Sequence, residues 1–168
     1  MDWLDIKEFF KDTINYIIFV VIVIVIALYI IGLQQIVGDS MEPTLKNGDV
    51  LIINKLSKEY KRGDVITFLY GDIKYLVKRV IGLPGEYVEI KDNKIYINGE
   101  VIEDYVDVKG MKDFDLKNLG YDKIPEGYYF VMGDNRSNSL DSRNYKVGLI
   151  KKEDILGEKL LRLWPVFR

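Results

Sequence analysis

Apolar residues follow two different patterns along this chain. From Ile17 to Leu33 the run I-I-F-V-V-I-V-I-V-I-A-L-Y-I-I-G-L is unbroken, and no charged residue stands between Asp12 and Asp39. A helix needs about 20 apolar residues to cross a hydrocarbon core about 30 Å thick, and this window supplies them. A buried strand is one alternative, since Val and Ile dominate, but strands of that length are rare and the run never alternates. A cleaved leader is another; it wants a basic start and a small-x-small cleavage site, and neither is evident. The pattern therefore predicts an uncleaved membrane anchor over residues 14–35, behind a mixed amphipathic tail over 1–13. Lys7 and Lys11 are offset by Asp2, Asp5, Glu8 and Asp12, so flanking charge leaves the anchor's orientation open.

Beyond Ile36 short apolar runs alternate with turn signals, which predicts a mainly β domain over 36–168. V-L-I-I-N-K-L, V-I-T-F-L-Y, I-K-Y-L-V-K-R-V-I and Y-Y-F-V-M read as strands. Gly71-Asp72 marks a tight hairpin between the second and third of these. Y-V-E-I-K-D-N-K-I-Y-I-N-G-E reads as a second hairpin followed by a turn at Asn98-Gly99. Residues 103–127 are polar and loop-rich. Gly133–Arg143, G-D-N-R-S-N-S-L-D-S-R, is a long polar loop, and the chain closes on a short helical turn and a last strand.

Composition removes most catalytic chemistries. The 168 residues carry a net charge of -2 and neither cysteine nor histidine. Thiol catalysis, Ser-His-Asp triads and Cys- or His-ligated metal sites are therefore excluded. No basic block points to nucleic acid. Proton transfer near neutral pH falls to Asp, Glu, Lys, Tyr or a chain end.

Under that constraint three places stand out. Ser40 lies in V-G-D-S-M-E-P-T-L, where Gly38 and Pro43 set an irregular backbone. Leu33 and Ser40 are at most about 25 Å apart even in extended chain, so the hydroxyl stays near the membrane surface. It is either a nucleophile or part of an exit turn. Lys78 shares a strand face with Leu76 and Val80. Held between them in an interior it would lose hydration, which favours the neutral amine; the other reading is a lysine snorkelling from a rim. An ordinary lysine is neutral in only about one molecule per 2,500 at pH 7. The third place is the Gly133–Arg143 loop. It fails the EF-hand pattern because Arg136 stands where an oxygen ligand is required. It reads either as a capped surface loop or as a scaffold, in which Asp141 pairs with Arg143 or Arg136 and Ser139 hydrogen-bonds the lysine.

Taken together, G-D-S-M-E-P-T-L, R-G-D-V-I-T-F, Y-L-V-K-R-V-I-G-L-P-G-E and G-D-N-R-S-N-S-L-D-S-R, in that order behind an anchor, resemble bacterial signal peptidase I over almost the whole chain. The resemblance implies a signal-peptidase-like β-barrel or sandwich that removes signal peptides from exported preproteins, with no cofactor or metal. It implies Ser40 as nucleophile, Lys78 as general base, Ser139 as the serine that positions the lysine, and Asp141 with Arg143 as the pair bracing the loop. It implies small residues at positions -1 and -3 of the substrate. The best-known form of the family takes an oxyanion donor from a serine two residues before the nucleophile. Gly38 stands there in this chain, as in the Gram-positive-type variant, which leaves the second donor to a backbone amide or a water. The accessory β insertion, around 86–127, is expected to be reduced. The implied setting is a single-pass protein of the cell membrane, N-terminus cytoplasmic and catalytic domain outside, near the secretion translocase. Two rivals remain: a self-cleaving Ser-Lys repressor, which wants a DNA-binding helical domain in place of the anchor, and a non-catalytic membrane-tethered β domain.

Overall fold

A computed structural model describes residues 3–71, 74–106 and 110–163. Helix α1 runs from Trp3 to Ile30 without an interior glycine or proline. Its apolar side chains face outward on all sides: Ile17, Phe19, Ile22 and Leu28 are each at least half exposed. A helix apolar all round and covered by no protein wants a non-aqueous surrounding. At about 1.5 Å per residue it is about 42 Å long, more than a hydrocarbon core requires.

The helix stops earlier than the hydrophobic window implies. Residues Ile31–Gln35 leave the helix and form β1, paired antiparallel with β2 (Val50–Asn54) from Ile31↔Asn54 to Gln35↔Val50. The Lys55 amide donates to the Ile30 carbonyl at 2.9 Å, so sheet bonding begins where helical bonding ends. Gly32 permits the close approach: a Cβ there would lie 2.8 Å from side-chain carbons of both Ile53 and Lys55.

The remaining strands are β3 (Val65–Tyr70), β4 (Lys74–Gly82), β5 (Val88–Lys91), β6 (Lys94–Ile97), β7 (Glu100–Ile102), β8 (Phe114–Asp115), β9 (Tyr128–Met132), β10 (Ile150–Lys151) and β11 (Ile155–Leu163). The larger sheet has seven strands in the order β1-β2-β11-β3-β4-β9-β10, and the smaller has four, β7-β6-β5-β8. Every described pairing is antiparallel. The larger sheet ends at β1 and β10, so the expected barrel is an open sheet and not a closed one. The smaller sheet falls within 88–115, inside the stretch 86–127 where a reduced accessory insertion is expected.

Strand order explains where the core sits. β3 and β4 lie inside the sheet, and β3 is buried from Val65 through Phe68. One cluster gathers Ile66, Phe68, Val80, Tyr129 and Val131. A second joins the accessory sheet to the main one through Ile90, Ile95, Phe114 and Phe130. Asp92 and Asn93, with φ of 50° and 60°, make the tight turn between β5 and β6. Of the Gly71-Asp72 hairpin turn, Asp72 lies outside the described residues.

Candidate active site

Ser40 sits in the irregular segment 36–49 between β1 and β2. Met41 and Leu45, each 1% exposed, fasten that segment into a cluster with Ile36, Leu51, Ile53 and Val77. The Ile36 amide donates to the Asp49 carbonyl at 2.8 Å and the Gly48 amide to the Ile36 carbonyl at 2.9 Å, drawing the two ends of the segment together. Gly38 has φ of 89°, a conformation L side chains avoid. A Cβ there would meet nothing within 4 Å, so backbone conformation and not room is what demands glycine. Its amide donates to Asn47 Oδ1 at 3.0 Å and is thereby occupied.

Lys78 lies on β4, between β3 and β9. Burial leaves it 2% exposed, with Leu76 and Val80 packed in the neighbouring core. Its Nζ stands 2.7 Å from Ser40 Oγ and donates to the Val77 carbonyl at 2.9 Å. Loss of hydration pulls the amine down to about 8, against the opposing attraction of the Asp141 and Asp134 carboxylates and with a small further push from Lys74. At pH 7 a group of that pKa is neutral in about one molecule in ten, some hundreds of times more often than an ordinary lysine.

The Gly133–Arg143 loop holds this pair from behind. Asp141 receives Arg143 bidentately, Nε to Oδ1 and Nη2 to Oδ2, both at 2.8 Å. It also accepts the Gly133 amide at 3.0 Å. Arg136, the other candidate partner, instead pairs with Asp104 at the edge of the accessory insertion. Asn135 reaches the serine segment directly: its amide donates to the Ser40 carbonyl at 3.0 Å and its Nδ2 to the Asp39 carbonyl at 3.1 Å.

Ser139 differs from expectation. Its Oγ is buried and has no hydrogen-bond partner among the described residues, so it makes no direct bond to Lys78. The side chain packs over Gly133, beside the Ser40 carbonyl. A Cβ on Gly133 would run into both groups, well inside van der Waals contact.

Three residues that build the site were not singled out from the sequence. Gly133 is one, because its part rests on a tertiary contact with the Ser40 carbonyl. Asn135 is another, because its bonds are to the distant serine segment. Arg79, next to Lys78, sends Nε and Nη2 to the two Asp134 oxygens at 2.8 and 2.5 Å, and Nη1 to the Gly63 carbonyl at 2.8 Å. It joins R-G-D, the lysine strand and the last loop. That Arg79 stands in one matched box and Asp134 in another was the signal available.

The dyad opens onto a narrow cleft lined by Gln35, Ile36, Val37, Met41, Tyr75 and Leu76. Among the described residues no group of three or more carboxylates is placed to hold a metal. The arrangement suits one kind of chemistry: a lysine amine can take a proton from the adjacent hydroxyl.

Comparisons with known proteins agree with that chemistry. The sequence profile of the family described as "Signal peptidase, peptidase S26" matches residues 7–164. Signal peptidase I P of Bacillus subtilis subsp. natto is 44% identical over 142 residues, covering 78% of this chain and 76% of its own. Signal peptidase I of Bacillus licheniformis is 42% identical over 160 residues, covering 89% and 85%. The crystal structure of a signal peptidase I from Enterococcus faecalis V583 superposes with a TM-score of 0.53 at 36% identity, over 60% of this chain and 97% of that one.

Proposed function

We propose a Ser40–Lys78 mechanism for this chain, which belongs to the peptidase S26 family of signal peptidases and is a serine endopeptidase that removes signal peptides from preproteins. The observation that carries the mechanism is the 2.7 Å approach of Lys78 Nζ to Ser40 Oγ with the lysine buried. Neutral Lys78 takes the hydroxyl proton as Ser40 Oγ bonds to the scissile carbonyl carbon. The Ser40 amide donates to the resulting oxyanion. Collapse breaks the C–N bond, and the Lys78 ammonium returns its proton to the departing amine. Lys78, neutral again, takes a proton from water as that water attacks the acyl-enzyme. The ester bond to Ser40 Oγ then breaks, Lys78 returns that proton to Oγ, and the signal peptide leaves with a free carboxyl group.

The narrow cleft supports a preference for small side chains at positions -1 and -3, since a shallow pocket refuses bulk by overlap. We place the N-terminus in the cytoplasm and the catalytic domain outside, near the secretion translocase, because signal peptides present their cleavage point on that face of the membrane. Ser139 positions the base through packing around Gly133, and Asp141 with Arg143 braces the loop.

Reconstituted vesicles test both parts. Wild type is expected to cut a preprotein, while Ser40→Ala and Lys78→Ala lose at least about 1,000-fold in rate, as expected for loss of a nucleophile or its base. Normal processing by either variant overturns the dyad. In spheroplasts, added protease should digest the β domain; a protected domain overturns the orientation.

A further inference from the structure

A second depression lies beside the catalytic cleft, between the end of α1 and the larger sheet. Its walls are Leu28 and Tyr29 of α1, Lys55 and Leu56 after β2, Leu69 of β3 and Tyr75 of β4. Tyr75 also lines the cleft of Ser40 and Lys78, so the two depressions adjoin at that residue. Large apolar side chains stand open there, with Tyr29 76%, Leu56 50% and Tyr75 46% exposed. Glu153 and Asp154 give the groove a polar rim. Because one wall is the end of the membrane-spanning helix, the groove sits where hydrocarbon gives way to water. Apolar surface clustered at one such place marks an interaction site.

The wall is also fixed. Helix α1 passes into β1 without a linker, and Lys55 holds the joint by its amide to the Ile30 carbonyl at 2.9 Å and by Nζ toward the Leu28 carbonyl at 3.4 Å. A groove with one wall of membrane helix and one of sheet keeps its width only if that joint is stiff.

We propose that this groove docks the last turns of the signal peptide's apolar helix against the end of α1, and that Tyr75 marks where the bound chain turns extended and enters the cleft. The proposal rests on the signal peptidase reading and adds where the membrane-embedded part of the substrate binds. The occupant follows from the groove's place between the end of α1 and the cleft. A chain that reaches Ser40 from within the bilayer must pass the end of α1, and the surface it meets there is apolar below and polar at the rim.

Two substrates with one cleavage sequence separate docking from chemistry: a preprotein in vesicles, and a short soluble peptide spanning only the cleavage site. For Leu56→Gln, with Leu69→Gln as a second variant, KM for the preprotein should rise about tenfold, the loss expected for one leucine contact, while kcat and the peptide reaction stay unchanged. Unchanged preprotein kinetics in both variants overturn the groove. Wild type failing on both substrates overturns the peptidase reading and the groove with it. The cysteine-free sequence allows a direct check in full-length Ser40→Ala. Leu56→Cys should cross-link to a single cysteine in the signal peptide's apolar segment, and Val101→Cys on the accessory sheet should not. Leu56→Cys cross-linking to a second copy of itself in place of the preprotein, or to nothing, also overturns the proposal.

Discussion

At the scale of single residues, the site trades stability for reactivity. Lys78 is held nearly out of water with its amine down at about 8 from 10.5. Between those values the unfolded chain keeps a proton that the native state has released, so stability rises with pH across that window. Below about 8 the native state carries a buried ammonium, and the cost is present in full, at most about 3 kcal/mol. Lys78→Met removes the charge and keeps the volume. It is expected to abolish cleavage, raise stability at pH 7 by about 1–3 kcal/mol, and flatten the rise in stability above pH 8, all read by denaturant unfolding of the purified variant. Gly133→Ala tests the opposite sort of residue. The added Cβ must displace Ser139 or the Ser40 carbonyl, and a nucleophile moved by about 1 Å costs about 100-fold in rate. Preprotein cleavage should fall by that order while circular dichroism stays that of wild type.

At the scale of elements, the loop 133–143 packs behind the dyad, and we propose that it braces the site through its charges as well as its backbone. Breaking a buried ion pair leaves one charge without its partner. Asp141→Asn therefore should cost about 2–4 kcal/mol of stability, near the range for a broken buried pair. The Asp141 carboxylate also raises the Lys78 pKa. Its removal should move the midpoint of the pH–activity profile downward, measured with the soluble peptide substrate. A variant with unchanged stability and an unchanged profile contradicts the bracing role. Much of this element was legible as sequence. Asp141 with two arginines nearby read as a bidentate pair, and the structure chose Arg143. Ser139 did not follow, because its side chain packs at Gly133 beside the Ser40 carbonyl, and Ser40 comes from far along the chain. The strands β2, β3, β4 and β9 were legible from their apolar runs. β1 was not, because I-G-L-Q-Q continues an uncharged window, and only pairing with β2 tells strand from helix there.

At the scale of the whole molecule, a membrane helix, an open seven-stranded sheet and a smaller four-stranded sheet accompany one serine and one lysine brought to 2.7 Å of each other. The sheet's openness was not written in the periodicity, since alternation shows which residues face inward but not whether the last strand meets the first. The closeness of Ser40 to the helix was, because only a short stretch of chain separates them. What makes the assembly a peptidase in this account is that Lys78 is a neutral base at working pH. The pH dependence of kcat/KM for the full-length protein on a soluble cleavage-site peptide measures this directly. The account predicts a rise of about tenfold per unit through the acid side, bending to a plateau near 8, where the Lys78 amine titrates. A profile flat from about pH 6 to 10, across the whole range between an ionised and a neutral lysine, would contradict it.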